Sequence, residues 1–251
     1  MSFLTLLRKE LYAYFVSPLF YVVAAVFLGL CGFFFYTRLI FFVEYGLGEN
    51  ILGNFWLAFM AGAPYSISMV LLLVMPLLTM RSFAEEKKLG TIELLLTYPI
   101  RDGELFCAKF TACVLVFVVL LAGTLVYPLY LYSLQPLPLG AVAAGYLGLL
   151  LLGLSFIACG VLISSLTDNQ VVAAVSTLGL LLGFWVLTWN EAATSPGLLR
   201  VLIHLSMFDH FEPFARGTID ADHVGYFVFF VLFCSFLTLR VLEARTWRGR
   251  R

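Results

Sequence analysis

The longest charged stretch inside the chain is residues 81–109, RSFAEEKKLGTIELLLTYPIRDGELFCAK, and it separates two long apolar runs. Over all 251 residues, hydrophobic amino acids account for 62% and charged ones for only 12%. That composition cannot cover the surface of a soluble domain of this length. A patterned polar segment in such a chain therefore predicts a loop outside the bilayer that docks a partner.

The apolar runs on both sides of this stretch predict membrane-spanning helices. A helix needs about 20 apolar residues to cross the hydrocarbon. The runs are continuous and do not alternate, so helices are favoured over a β-barrel. We predict an all-α membrane protein, with a single domain over 1–251 and six spans at 19–43, 59–80, 105–133, 139–166, 170–189 and 224–242.

The basic residues are distributed unevenly among the predicted loops. With six spans, twelve of the fifteen lysines and arginines fall on one side of the membrane and three on the other. Because positive charge is retained in cytoplasmic loops, we expect both termini and the loop 81–104 to be cytoplasmic.

Residues 1–17 predict a short amphipathic helix that lies in the membrane interface. Phe3, Leu7, Leu11 and Tyr14 share one helical stripe, and the basic residues fall elsewhere. Pro18 then opens the first span, because proline is well tolerated at the first position of a helix.

The first half of the charged loop predicts a short capped helix. Ser82 and Glu85 have the spacing of a capping box, in which each side chain bonds the other residue's backbone amide. Acidic residues precede basic ones, as the helix dipole favours. Gly90 is a suitable terminator.

The second half of the loop predicts a short apolar helix over 92–97, with Thr91 as its cap and a stop before Pro99. Glu93 is its only charged residue. An apolar helix on the cytoplasmic side needs a cover. Either the bilayer interface or a groove on a soluble protein would provide one.

The loop resembles that of the permease subunits of ABC type-2 exporters. The residues that carry this resemblance are Arg81, Ala84, Glu85, Glu86, Gly90, Thr91, Ile92, Glu93, Leu94, Leu95, Leu96, Pro99, Ile100 and Lys109. In that family the Gly-Thr-x-Glu-Leu-Leu segment lies at the coupling helix, which sits in a cleft of the nucleotide-binding subunit. The resemblance therefore implies that the residues docking an ATPase are Glu85, Glu86, Gly90, Thr91, Ile92, Glu93, Leu94, Leu95, Leu96 and Pro99.

The resemblance also implies a set of partners. No G-x-x-x-x-G-K-[ST] motif occurs in the sequence, so we expect no cofactor on this chain, with ATP and Mg²⁺ on a separate ABC ATPase subunit. The further partners in the family arrangement are a second permease copy or a sister permease, membrane lipid and, as an option, a periplasmic accessory protein. The resemblance also implies a multi-pass protein of the bacterial inner membrane. A net charge of zero gives no indication of a nucleic-acid partner.

The segment 190–223 predicts short helices at the outer face, which lies near the substrate exit in the resembling family. Its candidate site residues are Arg200, His204, Glu212 and Arg216, with Glu212 and Arg216 one turn apart. All three histidines fall in this segment, but their spacing matches no metal motif, so we predict no metal site. Residues 209–220 are similar to permeases of the gliding-motility and nitrous-oxide-reductase maturation type.

A chain with several membrane spans could be an intramembrane protease, an exporter permease or a membrane anchor. An intramembrane serine protease needs a histidine within a span, and none of the predicted spans holds one. An exporter permease for a lipid-like or amphipathic substrate suits spans that are almost free of charge. A membrane anchor that transmits force in a motor or maturation complex, without moving a solute, is the alternative.

Overall fold

The computed structural model describes residues 3–45, 51–56, 66–90, 102–134, 136–188 and 206–248. In these ranges every regular element is a helix, as the sequence predicts. The eleven helices are α1 (Phe3–Val16), α2 (Pro18–Tyr45), α3 (Ile51–Trp56), α4 (Ile67–Thr79), α5 (Ala84–Lys88), α6 (Asp102–Gly123), α7 (Val126–Leu134), α8 (Leu139–Leu166), α9 (Gln170–Thr188), α10 (Met207–Arg216) and α11 (Ala221–Arg248).

Five helical stretches in the described ranges are long and apolar enough to cross a membrane, whereas the sequence predicts six. They are Pro18–Phe41, Ile67–Lys88, Asp102–Leu134, Leu139–Leu166 and Ala221–Ala244. The remaining predicted span, 170–189, corresponds to α9, whose apolar part Gln170–Val186 is shorter than the other five. The chain is therefore a multi-pass membrane protein.

Helix α8 lies at the centre of the bundle and has the bounds that the sequence predicts. It contacts α4, α6, α9, α10 and α11. Small residues permit this, because a Cβ atom on Gly148 would lie 2.4 Å from the Phe214 Cβ of α10. Along one side of α8, the small residues Ala144 and Gly148 are buried, while Gly140 faces open space.

The predicted third span, 105–133, is interrupted between α6 and α7. Pro128 clashes with a helical carbonyl four residues earlier, which belongs to Thr124. The chain breaks at Thr124, and its freed carbonyl accepts a hydrogen bond of 2.9 Å from the Tyr146 hydroxyl of α8. The predicted span is thus broken at a point that lies before Pro128 itself.

The predicted second span, 59–80, is described only from residue 66 onward. Helix α4 begins at Ile67, where Ser66 caps it by accepting from the Met69 amide, and it ends at Thr79. Pro76 lies inside this helix without ending it. The chain then turns through residues 80–83 into α5.

The N-terminal helix α1 packs on the bundle through the predicted stripe. Phe3, Leu7, Leu11 and Tyr14 are partly buried against the core, and Leu6 is fully buried beside them. Helix α3 is not predicted from the sequence. It lies between the predicted spans 19–43 and 59–80 and buries its aromatic residues.

Candidate functional site

The structure describes residues 81–90 and 102–104 of the predicted docking loop, and residues 81–90 form its root. Glu85, Glu86 and Gly90 lie there. The other predicted docking residues are outside the described part of the chain, and these are Thr91, Ile92, Glu93, Leu94, Leu95, Leu96 and Pro99. The site can therefore be built from the helix that leads into the predicted coupling segment, α5.

The start of α5 is capped from another helix, and the predicted capping box is wrong. The residue before α5 is Phe83, which makes no side-chain cap. Ser82 is instead buried, with its hydroxyl 3.4 Å from the Cys113 sulfur. The hydroxyl of Ser164, on α8, accepts from the amides of Phe83 and Ala84 at 3.1 Å each. A tertiary hydrogen bond has replaced the local one, so α5 is tied to α8 at its first turn.

The end of α5 follows the sequence. Gly90 has φ of 68°, in the left-handed region where only glycine avoids steric strain. Its amide donates to the Lys87 carbonyl at 3.1 Å. The chain therefore leaves α5 in a defined direction as it enters the predicted coupling segment.

A buried lysine joins α5 to two other helices. Lys109 of α6 lies 2.9 Å from a Glu86 oxygen of α5 and 3.1 Å from a Glu10 oxygen of α1. Its side chain is only 2% exposed. Its ammonium also lies 5.4 Å from the centre of the Phe83 ring, within the range of a cation–π contact.

The ammonium of Lys109 is thus enclosed by the helix bundle rather than exposed to water. A buried ammonium is stable only when charged partners satisfy it, and two carboxylates from separate elements do so here. Sequence reasoning missed Glu10. The available signal was that it is the single acidic residue of an otherwise basic amphipathic helix.

Two further cations hold the root of the loop. Lys87 donates to the Ser165 carbonyl at the end of α8 and lies 3.8 Å from Asp168, in the turn between α8 and α9. Arg81 donates to the Ser17 hydroxyl at 3.0 Å and lies 3.9 Å from Glu85. The root therefore contacts the α1–α2 junction on one side and the α8–α9 turn on the other.

Tyr14 of α1 adds a neutral contact to this assembly. Its hydroxyl donates to the Leu78 carbonyl of α4 at 2.9 Å and lies 3.2 Å from the Cys113 sulfur of α6. Burial, together with the nearby Cys113 thiol, raises the pKa of Tyr14 well above its ordinary value. The hydroxyl stays protonated and remains a hydrogen-bond donor to α4.

The outer site is described only in part, because Arg200 and His204 lie outside the described residues. Glu212 and Arg216 form the predicted ion pair along α10. The same helix brings His210 to His223 of α11, with 2.8 Å between their Nδ1 atoms. In the ranges that the structure covers, no three potential metal ligands come together.

The apolar face of α10 fixes it against the bundle. Met207, Phe208, Phe211, Phe214 and Ala215 are buried, and Gly217 ends the helix in the left-handed conformation with φ of 92°. This helix is therefore packed on α8 rather than loosely associated with it, and it carries the charged pair at its exposed side.

The family of the chain follows from a comparison with known families. The model of the ABC-2 family transporter proteins matches residues 53–211, more than half of the chain. The chain belongs to this family and is a membrane permease subunit of an ABC transporter. The match includes the root of the loop and α8. No curated protein matches the chain.

Proposed function

We propose that this permease couples ATP hydrolysis on a separate ABC ATPase to the translocation of a lipid-like or amphipathic substrate. In this proposal the segment 91–100 forms the coupling helix and sits in a groove of the ATPase. The observation that carries the proposal is the attachment of α5. This helix leads directly into that segment and is tied to α1, α6 and α8 by buried polar contacts.

The contacts of α5 give a route by which motion would travel. Pulling α5 away from α6 would separate Lys109 from Glu86 and leave the buried ammonium with one carboxylate, Glu10, instead of two. Breaking an ion pair at a buried cation is unfavourable. Displacing the coupling segment would therefore shift α1, α5 and α6 together, and Ser164 would pass the motion to α8, the centre of the bundle.

The proposal includes six spans with cytoplasmic termini in the bacterial inner membrane. Helix α9 has 19 residues, a length of about 28 Å at 1.5 Å per residue, close to the hydrocarbon thickness of about 30 Å. With α9 as a span, the basic residues segregate twelve to three between the two sides. Both observations support this layout.

Two finer assignments belong to the same proposal. Residues 209–220 support a place among permeases of the gliding-motility and nitrous-oxide-reductase maturation type. The family arrangement supports a complex of two permeases, identical or sister, with two ATPase subunits that hold ATP and Mg²⁺. Membrane lipid surrounds this assembly, and a periplasmic accessory protein would meet its outer face.

Replacing Glu93 and Leu95 with arginine tests the docking. We expect the double variant to lose the ATPase on affinity purification, because a buried apolar anchor at a protein interface is worth about 2–4 kcal/mol. The control is Leu139→Arg, which changes an exposed residue at the start of α8, outside the loop 81–104. This variant should retain the ATPase. Membrane levels of both variants should equal the wild type. Retention of the ATPase by the double variant would remove the docking proposal.

Export and anchoring differ in how the purified complex responds to solutes. An exporter should hydrolyse ATP faster when its substrate is added, since substrate binding and closure of the ATPase are linked. Lipids, glycans and peptides added to the complex in nanodiscs provide this test. A rate that changes with one class supports export, and a rate indifferent to all of them supports an anchor that transmits force.

A further inference from the structure

A cavity of about 390 Å³ lies beside the root of the loop, between α1, the start of α2, the end of α4 and α5. This volume falls within the range of ligand sites in proteins. Its walls divide into two zones. The apolar zone includes Leu19, Phe20 and Val23 of α2 and Leu77 of α4.

The second zone is charged, and its groups differ in burial and in the lengths of their ion pairs. Glu10 and Glu86 are both held by the buried Lys109. Lys9, Arg81 and Glu85 also line the cavity and are partly exposed. Beyond the buried cluster, the cavity thus presents two cations and one carboxylate above an apolar floor.

We propose that this cavity binds one phospholipid with a phosphate and a primary ammonium in its headgroup, phosphatidylethanolamine. The phosphate would lie between Lys9 and Arg81, since both cations bind phosphate oxygens well. The ammonium would donate to Glu85, and an acyl chain would cover the apolar zone.

The carboxylate decides between lipid classes. Phosphatidylglycerol has no ammonium for Glu85, so Glu85 would lie next to an anionic headgroup and share Arg81 with its phosphate. Phosphatidylcholine carries a quaternary ammonium with no N–H to donate. The proposal goes beyond the coupling function, because it concerns the permease alone and needs no ATPase.

The test uses the full-length permease, purified without its ATPase from nanodiscs of equal parts dioleoyl phosphatidylethanolamine and dioleoyl phosphatidylglycerol. Native mass spectrometry counts the lipids retained. We expect Ala13→Trp to fill the cavity, because Ala13 lines it and is exposed. Tyr12→Trp, on the same helix but not in the cavity wall, is the matched control.

The wild type and Tyr12→Trp should each retain one phosphatidylethanolamine. Ala13→Trp should retain about tenfold less of this lipid, because a filled cavity denies the headgroup at least one charge-assisted contact. Equal retention by the two tryptophan variants would overturn the site. So would a wild type that retains phosphatidylglycerol in preference.

Glu85→Gln tests the headgroup assignment without changing the size of the side chain. It should abolish the preference for phosphatidylethanolamine over phosphatidylglycerol, whereas Glu243→Gln, at an exposed ion pair of α11, should preserve it. A preference that survives Glu85→Gln would contradict the proposal. Because the ATPase is absent, none of these outcomes depends on the docking of the coupling segment.

Discussion

Lys109 connects three helices that are far apart in sequence. Its partners Glu10 and Glu86 come from α1 and α5, and all three side chains are buried or nearly so. Lys9 reaches the same two carboxylates at 3.7 and 3.4 Å, but its own side chain is 52% exposed. The two lysines share partners and differ in burial, so they provide a direct comparison.

We predict that Lys109→Met destabilises the permease far more than Lys9→Met. Removing the buried cation leaves two buried carboxylates without their main partner, at a cost of about 3–5 kcal/mol. Removing the exposed cation should cost about 0–1 kcal/mol. Thermal unfolding in detergent measures the difference. Equal shifts for both variants would contradict the assignment of Lys109 as the central cation.

Ser82 and Ser164 show where prediction from sequence fails at the residue scale. The Ser82–Glu85 spacing predicts a local capping box, but Ser164 supplies the cap from 80 residues away. A local sequence pattern shows which side chains are able to cap a helix, but tertiary contacts decide which side chain makes the hydrogen bond. The positive φ of Gly90 needed no such contact, and it is confirmed.

At the scale of elements, α8 organises the bundle through close approach of its neighbours. The Phe214 side chain of α10 occupies the space that a Cβ atom on Gly148 would need. The same helix carries Gly140, where a Cβ atom would meet nothing within 4 Å. The same helix therefore has one glycine with no space for a Cβ atom, Gly148, and one with ample space, Gly140.

We predict that Gly148→Ala displaces α10 and lowers the free energy of unfolding by about 1–3 kcal/mol, as overpacking does. Gly140→Ala should change stability by less than about 0.5 kcal/mol. Chemical denaturation measures both, and hydrogen exchange over 207–216 reports on α10. Unchanged exchange in Gly148→Ala would show that α10 does not depend on this contact.

The spans were predictable to different degrees. The bounds of α8 follow from a long apolar run bordered by Pro138 and the polar turn after Leu166. The break before Pro128 and the helix α3 were not predicted, since each depends on groups elsewhere, such as the Tyr146 hydroxyl at the break. The burial of α10 could not be predicted from the sequence either, because it depends on the shape of the α8 surface on which α10 packs.

The orientation of the whole bundle in the membrane decides which side the loop 81–104 faces. Leu89 at the root of the loop and Leu139 at the start of α8 are both exposed, and the proposed layout of six spans would place them on opposite sides. Of the five cysteines, only Cys107 is exposed. A background with Cys107→Ser therefore gives little competing reactivity.

In that background, a membrane-impermeant maleimide added to spheroplasts should label Leu139→Cys and spare Leu89→Cys. Disruption of the membrane should make both equally reactive, which controls for intrinsic accessibility. The prediction follows from the excess of basic residues on the side of Leu89. Labelling of Leu89→Cys in intact spheroplasts would invert the topology and end the docking proposal.

Docking of the segment that follows α5 on an ATPase can be tested by crosslinking. A photo-crosslinking amino acid is placed at Leu95, and membranes that contain the complete complex are irradiated. We predict a covalent adduct between the permease and its ATPase from Leu95, and none from the same amino acid at Leu139. Adducts from Leu95 with lipid alone would contradict docking on the ATPase.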